Sequence, residues 1–246
     1  MEIKIGTFNI QNGIDRKYYL ETNTVRRDCT MAAEAIRDMG IDICGLNEIS
    51  NEEGRGGIDD PKFIAEKLGY YYAFGKARIR PDGVTEYGNA LVSRYPIIFA
   101  ECVPIRIPLE NRVEGRKMYE DRVVLRAEIS VNGRILTVLC THFGLYNDEI
   151  DLCVRTLREC AEKSTSPVLA MGDFNLTPDS GFYTQICEFL SDTAVMMNNE
   201  EDTFPSEAPI KRIDYIFVDK EMKILHASVP PVVVSDHRPY VIIADL

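Results

Sequence analysis

A carboxylate and an amide follow a predicted buried strand at Asp173 and Asn175, in the stretch PVLAMGDFNLTPDS from Pro167 to Ser180. Residues i and i+2 of an extended chain lie on the same face, so the two side chains can contact one object while Phe174 points back into the protein. The carboxylate can accept a hydrogen bond or a proton, and the amide can donate beside it. This pattern indicates a site for a polar ligand.

Other predicted strands stop at residues of the same chemical types. Strand ends or adjoining positions carry Asn9, Glu48, His142, Asp214, Asp236 and His237. Taken singly, each has an ordinary explanation as a turn residue or a solvated charge. The set is more informative, because His142 and His237 are two of only three histidines in the chain. The carboxylates suit a hard cation such as Mg2+, and the absence of thiolates from the set argues against structural zinc.

Seven short motifs along the chain together resemble the endonuclease/exonuclease/phosphatase superfamily. They are T-F-N-I (Thr7–Ile10), N-E-I (Asn47–Ile49), G-N-A-L-V-S-R-Y-P-I (Gly88–Ile97), T-H-F (Thr141–Phe143), G-D-F-N (Gly172–Asn175), R-I-D-Y-I-F (Arg212–Phe217) and S-D-H (Ser235–His237). G-D-F-N and S-D-H together are specific, whereas T-F-N alone is weak. The resemblance implies a four-layer α/β sandwich and metal-dependent phosphoester hydrolysis, with Mg2+ as the cation and Mn2+ as the alternative.

The resemblance also implies roles for individual residues. Asn9 and Glu48 correspond to the metal site, with Glu48 as the principal ligand and Asp236 as a further member. Asp173 and Asn175 correspond to the pair that positions the attacking water and a phosphate oxygen.

Two histidines and two further residues complete the implied site. His142 is similar to the family's first histidine, near the phosphate or the leaving group, and is a candidate general acid. His237 is similar to the second, with Asp214 as its orienting carboxylate. Asn89 and Arg122 match positions that contact the phosphate or support the site.

Two departures from the family pattern bear on the activity. Asn47 stands where the family more often has a supporting Gln, which is a minor change. The form Thr141-His142-Phe143 is closer to the deoxyribonuclease and sphingomyelinase branches than to the abasic-site enzymes. Abasic-site repair is therefore disfavoured.

The sequence also predicts the elements that must position these residues. Apolar runs predict strands at Ile3–Ile10, Asp42–Leu46, Tyr70–Phe74, Asn89–Ser93, Ile97–Ile107, Val123–Val131, Ile135–His142, Val168–Met171, Ile213–Val218, Met222–Val229 and Tyr240–Ala244. Helical spacing predicts helices at Thr24–Met39, Pro61–Leu68, Glu149–Lys163 and Asp179–Leu190. Asn132-Gly133 predicts a two-residue turn that joins Val123–Val131 and Ile135–His142 in a hairpin. Hairpins mixed with helical crossovers favour two stacked mixed sheets flanked by helices, in one domain over residues 1–246.

Composition restricts the partners and the compartment. The 246 residues carry a net charge of −11, which argues against non-specific binding of long nucleic acid but allows a small phosphorylated substrate held by a local basic cluster and a metal. No apolar run is long enough for a transmembrane segment, and no signal peptide is evident. Seven scattered cysteines without a C-x-x-C pair predict free thiols in a reducing compartment, so we expect a cytoplasmic protein.

The substrate is left open by the sequence. The expected specificity loops are Gln11–Asn23, Asn51–Asp60, Ile79–Tyr87 and Pro108–Asp121. The last contains Arg112, Arg116 and Lys117, which bind anions or are simply balanced by nearby glutamates. Three hypotheses follow: a phosphodiesterase or phosphatase for a small or lipid-derived phosphoester, a nuclease for DNA or RNA, and a non-catalytic binding protein. No protein partner is implied.

Overall fold

The computed structural model describes residues 1–53, 57–108 and 119–246, and its strands form two six-stranded mixed sheets. The first sheet contains β1 (Glu2–Asn9), β2 (Ile43–Asn51), β3 (Tyr71–Ile79), β4 (Glu86–Ser93), β11 (Lys223–Ser228) and β12 (Tyr240–Asp245). The second contains β5 (Ile97–Ile105), β6 (Arg122–Val131), β7 (Arg134–His142), β8 (Val168–Asp173), β9 (Ser191–Asp192) and β10 (Asp214–Val218). The strand orders are β11-β12-β1-β2-β4-β3 and β5-β6-β7-β8-β10-β9.

Each sheet has a parallel pair at its centre. Strands β1 and β2 are parallel in the first sheet, and β7 and β8 are parallel in the second; the other pairs are antiparallel. In register, Asn9 lies opposite Asn47 and His142 lies opposite Asp173. Because parallel strands end at the same edge of a sheet, polar residues distant in sequence are brought together there.

Six α-helices accompany the sheets among the described residues, and four of them pack on the outer faces of the sheets. The six are α1 (Arg16–Thr22), α2 (Cys29–Met39), α3 (Asp60–Leu68), α4 (Asn147–Glu162), α5 (Gly181–Cys187) and α6 (Thr193–Met196), with a 3-10 helix at Gln11–Gly13. Apolar residues of α2 and α3 pack on the first sheet, and those of α4 and α5 pack on the second. A third apolar cluster, which includes Ile5, Ile43, Val138 and Leu169, fills the space between the sheets. The predicted four-layer sandwich is confirmed.

The predicted hairpin is also confirmed. Strands β6 and β7 pair antiparallel, and Val131 lies opposite Arg134 across the turn. Asn132 and Gly133 both have positive φ, 49° and 86°. This is the conformation that the sequence Asn-Gly favours in a two-residue turn.

Two predictions near the N-terminus differ from the structure. The helix predicted from Thr24 begins at Cys29, because the Asp28 side chain caps it by accepting from the amide of Thr30. Before that point Arg27 forms a bridge with Ile14, so this stretch is extended. The segment predicted as a loop from Gln11 to Asn23 contains α1.

Among the described residues, no helix is long and apolar enough to cross a membrane.

Gly172 in β8 pairs with Thr141 in β7, one residue before Asp173. Its φ is +150°, and a Cβ built there would lie 1.8 Å from the carbonyl oxygen of Thr141. Because that atom belongs to the backbone of the neighbouring strand, a side chain cannot be accommodated by a rotamer change. A glycine is therefore required immediately before Asp173.

We expect Gly172→Ala to lower the free energy of unfolding by at least about 2 kcal/mol. In a chain of this length that corresponds to a fall of roughly 4–8 °C in melting temperature, measured by thermal denaturation. Gly181→Ala is the matched control, since a Cβ at Gly181 meets no atom within 4 Å. Equal melting temperatures for the two variants would contradict this account.

All seven cysteines are free, as the sequence predicts. We expect the melting temperature to be nearly the same with and without reductant, because no covalent cross-link constrains the unfolded chain. Loss of a native disulfide typically costs about 2–5 kcal/mol, so a large decrease on reduction would show that a disulfide forms.

Candidate active site

The predicted residues converge at the edge where the two central parallel pairs end. Asn9 closes β1, and His142 and Asp173 close β7 and β8. Asp214 opens β10 and lies opposite Asp173 in the antiparallel register. His237 reaches the same place from the turn before β12, where its ring nitrogen contacts Asp214.

A buried amide joins the two sheets beneath this edge. The Asn47 Nδ2 group donates to Asn89 Oδ1 and to the carbonyl of Thr141, both at 2.9 Å. Its Oδ1 accepts from the backbone N–H of Asp173 at 2.8 Å. Asn47 therefore connects β2 with β4, β7 and β8.

Glu48 follows Asn47 at a bulge in β2. The strand does not stop at Leu46 as predicted, because its register with β4 shifts between Leu46 and Ile49 and pairing then resumes. Glu48 has a φ of +55°, and its half-buried side chain lines the cleft. Bulges of this kind redirect a side chain out of the regular alternation.

Asn9 supports Glu48 from the adjacent strand. Its Nδ2 donates to Glu48 Oε1 and to Asp173 Oδ2, each at 3.1 Å. Its Oδ1 accepts from the backbone N–H of Gln11 at 3.0 Å, and since a backbone N–H can only donate, this contact fixes the orientation of the amide. Asn9 thus presents donors to two carboxylates, whereas the sequence prediction counted it among the metal ligands.

The Asp173 carboxylate is central to the site. Its Oδ1 accepts from the backbone N–H of Asn175 at 2.9 Å, and its Oδ2 lies 3.4 Å from His142 Nε2 and 3.7 Å from His237 Nε2. Burial raises the pKa of Asp173 above its usual value, and the nearby Asp214 carboxylate acts in the same direction. A buried carboxylate with a raised pKa is a stronger base than an exposed one.

His142 is held by Asn175. The Asn175 Nδ2 group lies 3.1 Å from His142 Nε2 and donates to the carbonyl of Phe143 at 3.1 Å. Burial lowers the pKa of His142 well below its usual value, and the charges of Arg122 and His237 add to this effect. The ring is therefore neutral at neutral pH and accepts from Asn175, which does not favour the predicted role of general acid. Both amide hydrogens of Asn175 are used within the protein, so contact with a phosphate requires one to be released.

The pKa of His237 is raised, whereas that of His142 is lowered. The Nδ1 of His237 lies 2.8 Å from Asp214 Oδ2, and both side chains are buried. Burial by itself lowers the pKa of His237, but the charge and hydrogen bond of Asp214 outweigh it and raise the pKa to about 10. The imidazole is therefore charged at neutral pH.

Three side chains with metal-ligating atoms lie within 4.8 Å of one another among the described residues: Asp173, Asp214 and His237. His237 in its charged form has a proton on both nitrogens and has no lone pair for a metal. We therefore interpret this group as a hydrogen-bonded acid–base chain. Glu48, which shares the Asn9 amide with Asp173, has the oxygen chemistry that a hard cation prefers.

These residues line a cleft of about 650 Å3. Its wall includes Glu48, Tyr87, Glu120, Arg122, His142, Asp173, Asn175, Phe204, Lys211, Asp236 and His237. Arg122 is buried, and its Nη2 lies 3.1 Å from Glu120 Oε2. Its Nε has no hydrogen-bond partner in the part of the chain that the structure describes. Asp236 is half-buried and accepts from the hydroxyl of Ser235.

Asn89, by contrast, lies beneath the cleft. It is buried, its Oδ1 accepts from Asn47, and its Nδ2 donates to the carbonyl of Val123 at 3.1 Å. Because both ends of the amide are paired within the protein, this position favours the predicted supporting role of Asn89 over contact with the phosphate.

Some residues of the site carry no pattern that the sequence could reveal. Lys211 lines the cleft, and Thr203 donates to Asp214 Oδ2. Tyr87, the last residue of the expected specificity loop Ile79–Tyr87, also lines the cleft. The predicted basic residues Arg112, Arg116 and Lys117 lie outside the described residues.

A second cavity of about 680 Å3 lies elsewhere, bordered by Arg134, Lys220 and Lys223. Lys223 pairs with Asp245 at 2.9 Å, and none of the predicted site residues lines this cavity. Among the described residues, no histidine lines this cavity.

The chain belongs to the endonuclease/exonuclease/phosphatase family, whose model matches residues 6–237. Members of this family are hydrolases that act on phosphoester bonds, typically with divalent metals. The family assignment confirms the resemblance carried by the seven motifs.

Individual relatives agree with this assignment. The uncharacterised protein YbhP of Escherichia coli strain K12 is 26% identical over 260 residues, covering 96% of this chain and 93% of YbhP. A family member from Bacteroides thetaiotaomicron superposes with a TM-score of 0.79 at 16% identity, covering 100% of this chain and 99% of that one. A mannosyl-6-phosphatase from the same organism has a TM-score of 0.76 at 16% identity, covering 99% and 100%. At these identities the structural likeness establishes the fold.

The contact between Asp214 and His237 predicts a specific pH effect. Asp214→Asn removes the charge that raises the pKa of His237, so this pKa falls and the imidazole loses its proton at lower pH. If the charged ring is the active form, the alkaline limb of the pH–rate profile moves to lower pH. We expect the rate at neutral pH to fall roughly 10²- to 10⁴-fold, measured on a chromogenic phosphoester.

Two comparisons make this experiment decisive. Asp151→Asn, at an exposed position on α4, is the matched control and should leave the profile unchanged. The double variant Asp214→Asn with His237→Ala should be little slower than His237→Ala alone, because residues that act as a unit are not additive. Independent multiplication of the two effects would show that they do not work as a pair.

Proposed function

We propose that this protein hydrolyses the phosphoester bond of a small phosphorylated molecule, a monoester or a diester, with a divalent cation, Mg2+ in the first instance and Mn2+ as the alternative. The products are the phosphate-bearing acid and the freed alcohol. The observation that carries the proposal is the position of Asp173, whose Oδ2 lies within 3.1–3.7 Å of Asn9, His142 and His237 in one cleft. A water molecule at this carboxylate would be next to groups able to bind a phosphate.

The residues present fit a hard divalent cation. Glu48 supplies a cleft-lining carboxylate, Asn9 holds one of its oxygens, and Asp236 adds a second half-buried carboxylate to the wall of the same cleft. When bound, the cation would neutralise charge on the phosphate oxygens in the transition state. We assign Glu48 as its principal ligand and Asp236 as a contributor, with Asn9 as the support that orients Glu48.

The remaining side chains divide the other tasks. Asp173 orients the attacking water and accepts its proton, since its buried carboxylate is the stronger base. The charged His237, oriented by Asp214, donates from Nε2 toward the phosphate. Arg122 contacts the phosphate, and Asn175 holds the neutral His142 ring beside Asp173. Preorganised donors of this kind lower the barrier because they need not reorient as charge develops.

Charge favours a small substrate over long nucleic acid. The net charge of −11 would repel a polyanion, and local binding at one phosphate does not require a positive protein surface. One structural neighbour is named as a mannosyl-6-phosphatase, which supports the inclusion of sugar phosphates among the substrates tested.

The test is a substrate panel with a metal-ligand variant. Sugar phosphates, lipid-derived phosphodiesters, chromogenic monoesters and diesters, and DNA and RNA oligonucleotides are assayed with Mg2+ and with Mn2+. We expect turnover of a small phosphoester, abolished by EDTA and restored by either cation. Cleavage of the oligonucleotides alone would replace this proposal with a nuclease.

Glu48→Gln keeps the shape of the side chain and removes its charge. We expect activity to fall by orders of magnitude, with little rescue by added Mg2+, because the amide is a weaker ligand for a hard cation. Glu159→Gln is the matched control, since Glu159 is exposed on α4 away from the cleft. Undiminished turnover in EDTA would exclude the metal-dependent mechanism.

A further inference from the structure

Thr203 is a fully buried residue next to the acid–base chain. It lies in the acidic segment E-D-T-F-P-S-E, eleven residues before Asp214, and belongs to none of the motifs. Its Oγ1 donates to Asp214 Oδ2 at 2.5 Å and accepts from the backbone N–H of Asp214 at 3.3 Å. The hydroxyl is thus shared between the carboxylate and the backbone that carries it.

The two oxygens of Asp214 are used very unequally. Oδ2 accepts from both Thr203 and His237, whereas Oδ1 is buried and has no hydrogen-bond partner among the described residues. A carboxylate could rotate about its own bond to share donors between its oxygens. The Thr203 hydroxyl opposes that rotation, because it holds Oδ2 where the imidazole needs it.

The backbone of Thr203 is fixed by both parts of the chain that meet at the pair. Its N–H donates to the carbonyl of Lys211 at 2.9 Å, just before β10, and its carbonyl accepts from the N–H of Arg238 at 2.8 Å, just after His237. Thr203 therefore connects the strand that carries Asp214 with the turn that carries His237. A displacement of either segment would move the Thr203 hydroxyl relative to the Asp214 carboxylate.

We propose that Thr203 is a positioning residue that holds the Asp214 carboxylate, and through it the imidazole of His237, in the orientation used for catalysis. This rests on the proposed function in one respect, since His237 must face the substrate. Thr203 touches neither substrate nor metal. Its effect is on the position of the His237 ring, so it should alter the chemical step more than substrate binding.

The test compares Thr203→Val, which keeps the shape and removes the hydroxyl, with Thr203→Ser, which keeps the hydroxyl. We expect Thr203→Val to lower kcat roughly 10- to 100-fold with KM changed less than about threefold, because a misplaced group slows the reaction without weakening substrate binding. Thr203→Ser should retain kcat within about threefold of the unsubstituted protein. Equal kcat for the Val variant and the unsubstituted protein would overturn the proposal.

A matched control separates positioning from stability. Thr193 is also fully buried, and its hydroxyl bonds to the carbonyl of Ile216 and to the hydroxyl of Tyr240 in a region away from the cleft. Thr193→Val should lower the melting temperature but leave kcat unchanged. A similar loss of kcat in Thr193→Val and Thr203→Val would show a general effect of destabilisation and overturn the proposal. If Thr203→Val does not fold, Thr203→Ala replaces it in the comparison.

A spectroscopic measurement gives a result that does not depend on activity. The Nδ1 proton of His237, hydrogen-bonded to a carboxylate, should give a downfield proton resonance, assigned through its loss in His237→Ala. We expect it to persist in Thr203→Ser and to shift or broaden in Thr203→Val; an unchanged resonance in Thr203→Val would overturn the proposal. Failure of the whole substrate panel would refute the proposed function and leave this readout intact.

Discussion

The hydrogen bonds of the Asn47 amide are the constraint on which the site depends. Apolar contacts hold the two sheets together, but they are non-directional and tolerate small displacements. The hydrogen bonds of Asn47 with Asn89, Thr141 and Asp173, at 2.8–2.9 Å, do not tolerate such displacements, because the strength of a hydrogen bond falls steeply with poor geometry. The relative position of the catalytic strand ends is therefore set by a polar group within an otherwise apolar interior.

The electrostatics of the site follow from this close approach. Asp173 and Asp214 are buried carboxylates on adjacent strands, and burial without compensation would be costly. The charged His237 lies between them, hydrogen-bonded to one and 3.7 Å from the other. The neutral His142 has its Nε2 3.4 Å from the same oxygen of Asp173, and the charge of Arg122 acts on its ring. Two histidines with the same intrinsic chemistry thus have opposite protonation states, which is how one cleft can present both a donor and an acceptor at neutral pH.

The bounds of individual helices and strands were less predictable than the architecture. The strands and the Asn-Gly hairpin could be predicted because their apolar patterns and turn chemistry are local. The start of α2 could not be predicted, because the apolar spacing continues back to Val25. In the structure the helix begins only at Cys29, since Asp28 caps it and Arg27 forms a bridge with Ile14. The continuation of β2 beyond Leu46 was missed for a related reason, since a bulge that places Glu48 interrupts the alternation on which strand prediction depends.

The sequence by itself determined the family, the layered architecture and the identity of the polar residues at the strand ends, because each depends on residue types in local order. Tertiary structure decided what those residues do to one another. Asn9 and Asn89 have the same side chain, yet one holds two carboxylates and the other joins the two sheets beneath the cleft, and only the partners distinguish them. No local sequence pattern marks Thr203. Its hydroxyl contacts Asp214 only because the two chain segments meet in the folded protein. Hydrogen-bond geometry and burial are properties of three-dimensional neighbours, and a linear pattern does not contain them.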